Sequence, residues 1–166
     1  MNVNDFSKEY SVRTLIEEDI PSVLSLCKDN TLYYEYYPPL PNTLSIKEDM
    51  YALPKNKMMK DKYYVGYFEK NELIGVMDLI KDYPNNETCF IGFFMIKKDK
   101  QNKGKGSSII DELCFYLKTL GYKYLKLAWV KGNPESEHFW LKKDFVNIGE
   151  TKDQNNNAVI VAIRKL

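Results

Sequence analysis

The chain has 166 residues, 44% of them hydrophobic and 28% charged, with 24 Lys and Arg against 23 Asp and Glu. That length suits one compact domain with one core, and the balanced charge excludes a polyanion- or membrane-surface-binding character for the chain as a whole. No apolar run nears the ~18 residues of a membrane helix, and Cys27, Cys89 and Cys114 are too scattered for a disulfide framework or a zinc site.

The opening residues Met1-Asn-Val-Asn-Asp lack the charged start and apolar stretch of a secretory signal, so a cytoplasmic location is expected. The abundance of Lys, Asn, Ile and Tyr suits an AT-rich bacterial genome. Tyr10 to Leu15 reads as a short strand. Glu17-Glu-Asp-Ile-Pro then opens a helix, with acids at the positive end of the dipole and Pro21 in the first turn. Ile20, Val23, Leu24 and Cys27 give that helix one buried face. Residues 30–43 carry Tyr33-Tyr-Glu-Tyr-Tyr followed by Pro38, Pro39 and Pro41, and read as an aromatic-rich loop. A weaker helix is expected at about 44–53.

From Lys62 the apolar period shortens. Tyr63 to Glu69 and Glu72 to Lys81 read as strands joined by a tight turn at Lys70-Asn71. Thr88 to Ile96 is a third strand, apolar enough to be buried on both faces. Ile109, Ile110, Leu113, Leu117 and Leu120 form the stripe of a following helix that Gly121 terminates. Leu125, Leu127 and Trp129 alternate as a strand. Asn133-Pro134 starts another helix as cap and first residue, and residues 145–151 and 157–164 read as a hairpin. The order predicts a single mixed α/β (α+β) domain over 1–166, a mostly antiparallel sheet flanked by helices.

The chemistry lies where a buried strand meets the turn Lys97-Lys-Asp-Lys-Gln-Asn-Lys-Gly-Lys-Gly-Ser. Gly104 and Gly106 let the backbone approach a ligand, and the first amides of the next helix form an anion site reinforced by the dipole. Lys103 and Lys105 add charge. This is a diphosphate cradle, but not a Walker A loop, whose spacing is absent, nor a Rossmann turn, since the preceding strands form hairpins and no G-x-G-x-x-G occurs.

The spacing Gln101-x-x-Gly104-x-Gly106 resembles the (Q/R)-x-x-G-x-(G/A) signature of the GNAT superfamily of acyl-CoA N-acyltransferases. Asn133-x-x-Ser136-x-x-Phe139-Trp140-x-x-x-x-Phe145 is similar to a second segment of that family, in the right order and with a helix and a strand between. The resemblance runs along nearly the whole chain and implies a GNAT-like fold. It also implies transfer of an acetyl group from acetyl-CoA to a primary amine of a small molecule, with no metal. It assigns the pantetheine arm to the backbone of Phe94, Met95 and Ile96, and the pyrophosphate to the turn Gln101, Asn102, Lys103, Gly104, Lys105, Gly106 and Ser107. Asn133 and Trp140 would lie near the thioester, although Asn133 also reads as a plain helix cap and Trp140 as a core residue. Tyr33, Tyr34, Glu35 and Tyr36 stand where family members shape the acceptor pocket; a packed loop of part-buried tyrosines is the alternative.

The proton-transfer positions depart from the family. The tyrosine used there as general acid falls on Trp140, and two glutamate-base positions fall on Phe90 and Ala128. Asp144 replaces a glycine before Phe145. Asp78 and Glu87 lie on neighbouring strands, with strand parity pointing neither clearly at the site, and His138 is expected on an outward face. No catalytic residue is therefore assigned. A peptide or protein N-terminus is an alternative acceptor, and a coenzyme A-binding module without catalysis is an alternative function. Nucleic acid is not an expected partner, because the basic residues gather at one turn without interleaved stacking aromatics. Neither is a membrane, and the chain is expected as a monomer or homodimer.

Overall fold

The computed structural model describes all 166 residues. Seven strands form one sheet in the order β1-β2-β3-β4-β5-β7-β6. They are β1 (Ser11–Thr14), β2 (Lys62–Glu69), β3 (Glu72–Ile80), β4 (Thr88–Ile96), β5 (Tyr124–Val130), β6 (Val146–Lys152) and β7 (Ala158–Lys165). Lys70 and Asn71, both at positive φ (49° and 69°), make the tight turn between β2 and β3, the backbone that two-residue hairpins prefer. All neighbours run antiparallel except β4 and β5. That parallel pair requires a crossover, supplied by α4 (Lys105–Thr119).

The remaining helices are α1 (Ile20–Lys28), α2 (Thr31–Tyr36), α3 (Thr43–Tyr51) and α5 (Pro134–Lys142). They divide between the two sheet faces. On one face Ile109, Ile110, Leu113 and Leu117 of α4 pack with Phe6, Tyr67, Met77, Leu79 and Leu125. On the other, Ile20, Val23, Leu26 and Cys27 of α1 and Ile46 and Met50 of α3 meet Tyr64, Val76 and Met95. The three cysteines are free and buried, two in the first core and Cys27 in the second.

Four expectations need correction. Residues 31–36 are helical rather than loop. The chain has a turn and a half of freedom before the first proline, and burying Tyr33 and Tyr34 against the α1 face favours using it. Leu120 is 46% exposed, because α4 ends at Thr119 and Leu120 falls beyond the last turn facing the sheet. Leu26 joins the α1 face, while Leu24 is only partly buried. Finally, β4 is not buried on both faces throughout: Gly92 is exposed and Phe93 and Phe94 are half-buried, since β5 has left β4 by that point.

Candidate functional site

Only Thr88 to Ile91 of β4 pair with β5, against Tyr124 to Leu127. Beyond Ile91 the two strands diverge, leaving Gly92 to Met95 unpaired on that edge. A bulge adds to the divergence. Asp78 of β3 opposes Phe93 and Leu79 opposes Ile91, so Gly92 is an extra residue. The fork exposes backbone that can pair only with an incoming chain. At its far end the carbonyl of Ile96 is already satisfied by the side-chain amides of Gln101 (3.0 Å) and Asn30 (3.3 Å). Gln101 also donates to Asn30 Oδ1 at 2.5 Å, so its side chain braces the turn against the end of α1.

No backbone amide from Asn102 to Ser107 donates a hydrogen bond within the protein; the first internal bond is Ser108 to the Gly104 carbonyl, 2.9 Å. Six successive free N–H groups at the start of a fifteen-residue helix form a concentrated anion site. Gly104 has φ 79° and nothing within 4 Å of a built Cβ, so its requirement is conformational. Gly106 differs. A Cβ there would lie 3.3 Å from Ile96 Cγ1 and 3.4 Å from the Phe139 ring, so the missing side chain lets α4 pack closely at this point.

Three lysines of this turn, Lys97, Lys100 and Lys105, are paired with carboxylates. Glu69 accepts from Lys105 (2.6 Å) and Lys100 (3.1 Å), and Glu72 from Lys97 (2.5 Å) and Lys100 (2.9 Å). These hydrogen bonds hold the carboxyl of Glu72 down at about 2. Lys103 donates to the Asp99 carbonyl at 2.9 Å. Both glutamates flank the β2–β3 turn, and no local pattern signals that this turn lies beside the cradle.

Asn133 is 2% exposed, and its side-chain oxygen accepts from the amides of Glu135 and Ser136, both at 3.1 Å. It is the cap of α5. Trp140 sits in an aromatic group with Phe139 (4.8 Å between ring centroids), Phe145 (5.2 Å) and Phe94 (5.9 Å). It therefore belongs to the core, alongside the open stretch of β4. His138 is exposed, and Glu87 pairs with Lys123 at the surface.

The tyrosines gather on the opposite sheet face from α4. Tyr33 lies 6.1 Å from Phe93 and 5.0 Å from Tyr34, ring to ring, and both of these tyrosines pack on the second core. Tyr36 is half-buried and Glu35 points to solvent. The Tyr37 hydroxyl accepts from Asn155 Nδ2 at 2.9 Å, which ties the end of α2 to the tip of the β6–β7 hairpin. Within this wall stand Asp78 and two ionisable groups not singled out from the sequence, Lys62 and Asp49. Lys62, its side chain only 1% exposed, donates to Asp78 Oδ2 at 2.7 Å and to the Ala52 carbonyl at 2.9 Å. Asp49 of α3 lies near enough for Lys62 and Asp78 to shift its titration. Lys62 and Asp78 sit on adjoining strands, whereas the approach of Asp49 is purely tertiary and no local pattern signals it.

A sequence model of the acetyltransferase (GNAT) family matches residues 27–145. No curated protein matches the chain by sequence. Among solved structures, an acetyltransferase from Thermus thermophilus superposes with a TM-score of 0.75 at 18% identity, covering all of both chains. PaiA N-acetyltransferase from Thermoplasma acidophilum, in complex with coenzyme A, gives 0.69 at 17%, over 95% of this chain and 99% of that one. The ribosomal-protein-S18-alanine N-acetyltransferase of Escherichia coli gives 0.67 at 9%, over 94% and 93%. With the forked strands, the free amides and a family match across most of its length, the chain belongs to the GNAT acetyltransferase family.

Proposed function

We propose that the protein transfers the acetyl group of acetyl-CoA to a primary amine of a small molecule. The observation that carries this is the run of six free amides, Asn102 to Ser107, continuous with the unpaired edge of β4. The amides suit the pyrophosphate and the strand edge suits the amides of pantetheine. This directs the thioester toward the fork at Ile91. A small acceptor is favoured by the Tyr37–Asn155 bond, which joins the end of α2 to the tip of the β6–β7 hairpin and so narrows the approach to the tyrosines from that side. Phe90, Ala128 and Trp140 hold no proton donor or acceptor suited to the step, and the second reading, a coenzyme A-binding module, rests on them.

Acetyl-CoA at ~100 times its dissociation constant should stabilise the fold by ~2.7 kcal/mol, seen as a raised Tm. Ser107→Glu should remove the shift by placing a carboxylate among the free amides, without the Phe139 clash of a substitution at Gly106. Mass spectrometry of a primary-amine panel with acetyl-CoA should find acetylated products. No Tm shift with wild type would overturn the cofactor assignment. A shift without product from any amine would leave the binding module as the better reading.

A further inference from the structure

We propose that Asp78 receives the proton of the acceptor amine, a carboxylate supplied from β3 because β4 carries none at the fork. This rests on the acyltransferase reading. Three observations carry it, and the first is place. Asp78 opposes Phe93 beside the extra residue Gly92, directly past the last β4–β5 pair. It shares the sheet face with Tyr64 and Phe93, where the tyrosine wall stands.

The second observation is fit. A Cβ built on Gly92 would lie 2.7 Å from Asp78 Oδ2. The carboxylate therefore occupies the room that a β4 side chain would take, and any residue larger than glycine at 92 would displace it. The third is an unmet acceptor. Asp78 Oδ1 is the single buried side-chain polar atom in the protein without a hydrogen-bond partner. Buried acceptors are nearly always satisfied, so an orphan at a functional fork points to a partner that arrives.

Lys62 makes the arrangement directional. It holds Oδ2 at 2.7 Å and is itself anchored on the Ala52 carbonyl, which leaves Oδ1 as the free oxygen. The other polar or charged groups that reach the pair are Tyr64 of β2 and Asp49 of α3, and behind them Cys27 of α1 and Tyr33 and Tyr34 of α2 lie near Asp49. Lys62 is the only cation among them, so an ammonium meets net negative charge. Burial raises the proton affinity of Asp78, and Lys62 opposes that rise without cancelling it. A base drawn upward in this way is better matched to an amine donor.

The step balances without a further reagent. The ammonium gives one proton to Asp78, and the freed nitrogen pair attacks the thioester carbonyl carbon. The C–S bond breaks, and the thiolate takes the second proton from nitrogen to give coenzyme A. Asp78 returns its proton to solvent. Asp78 is thus the catalytic residue, and Lys62 a positioning residue.

The test compares wild type, Asp78→Asn and the double variant Lys62→Met/Asp78→Asn, which leaves no buried charge unpaired, on the amines that the wild type acetylates. Loss of a general base should lower kcat by about 10²- to 10⁴-fold at pH 7.5, with the acetyl-CoA Tm shift intact in both variants. The loss should shrink as pH nears the amine's own pKa of ~10, where the neutral amine is already present. If the single variant does not fold, the double variant decides. Either folded variant keeping more than about a tenth of wild-type turnover would overturn the proposal while the acyltransferase reading stands. A loss of the same size at every pH would also overturn it, leaving the Lys62–Asp78 pair as an anchor for α3. A wild type that binds acetyl-CoA but acetylates no amine would sink the reading and the proposal together.

Discussion

Asp49 shows how one side chain is both open to water and crowded. Solvent reaches it on α3, yet Tyr33, Tyr34, Tyr37, Tyr64 and Cys27 all lie within its electrostatic reach. Burial of its carboxyl raises its pKa to about 6, with Lys62 opposing the rise and Asp78 and Glu48 adding to it. The sign follows. Between the ordinary carboxylate value and about 6 the folded chain keeps a proton that the unfolded chain has released, so stability falls as pH rises through that window and is flat above it. Charge on Asp49 attracts a cationic amine, so kcat/KM should climb with pH to a plateau above about 6. Asp49→Asn should remove that limb and lower the plateau roughly fivefold, the effect of ~1 kcal/mol from an accessible ion pair. A limb that stays in place in the variant belongs to another group. None of this was readable from Glu48-Asp49 in the sequence, where the pair looks like any solvated helix face. Asn133 is the opposite case: Asn-Pro followed by two glutamates announces a helix cap, and a cap is what the structure contains.

Among elements, the β2–β3 turn and the start of α4 are linked by charge. Glu69 and Glu72 lie against Lys97, Lys100 and Lys105 where a diphosphate would otherwise find three cations. The turn thus competes with the ligand for the lysines, while the free amides remain the selective part of the cradle. Glu69→Gln should release Lys105, while Glu72 still holds Lys100, and tighten coenzyme A binding by roughly fivefold at low salt, with a steeper loss of affinity as salt is added. Calorimetry at two ionic strengths reads both, and an unchanged Kd would mean the lysines do not reach the ligand. The elements themselves were largely legible. Apolar periods of two and 3.6 place the strands and α4, and turn residues place the hairpins. α2 was not, because a six-residue helix ahead of three prolines has little propensity of its own and exists through the burial of its tyrosines. The facing of Asp78 was hidden for a related reason. The register shifts at Tyr67/Phe68 and at Gly92 break the alternation on which parity arguments depend.

At the scale of the molecule, the charge separation along the chain does not survive folding. The first hundred residues are net acidic and the remainder net basic, but the acids of the first part lie on the bases of the loop and of α4. Lys105 meets Glu69 and, just past α4, Lys123 meets Glu87. Sequence position says where charge is carried, while the sheet order decides what neutralises it. The same burial has a practical side for the three cysteines. Removal from water raises their pKa values to about 11 for Cys27, about 12 for Cys89 and about 11 for Cys114. At pH 8 roughly one in a thousand or fewer is ionised, whereas an unperturbed thiol near ~8.5 is about a quarter ionised. A chromogenic disulfide such as Ellman's reagent should therefore colour with released coenzyme A while the folded protein stays silent, and a slow rise of colour from the protein alone would report unfolding.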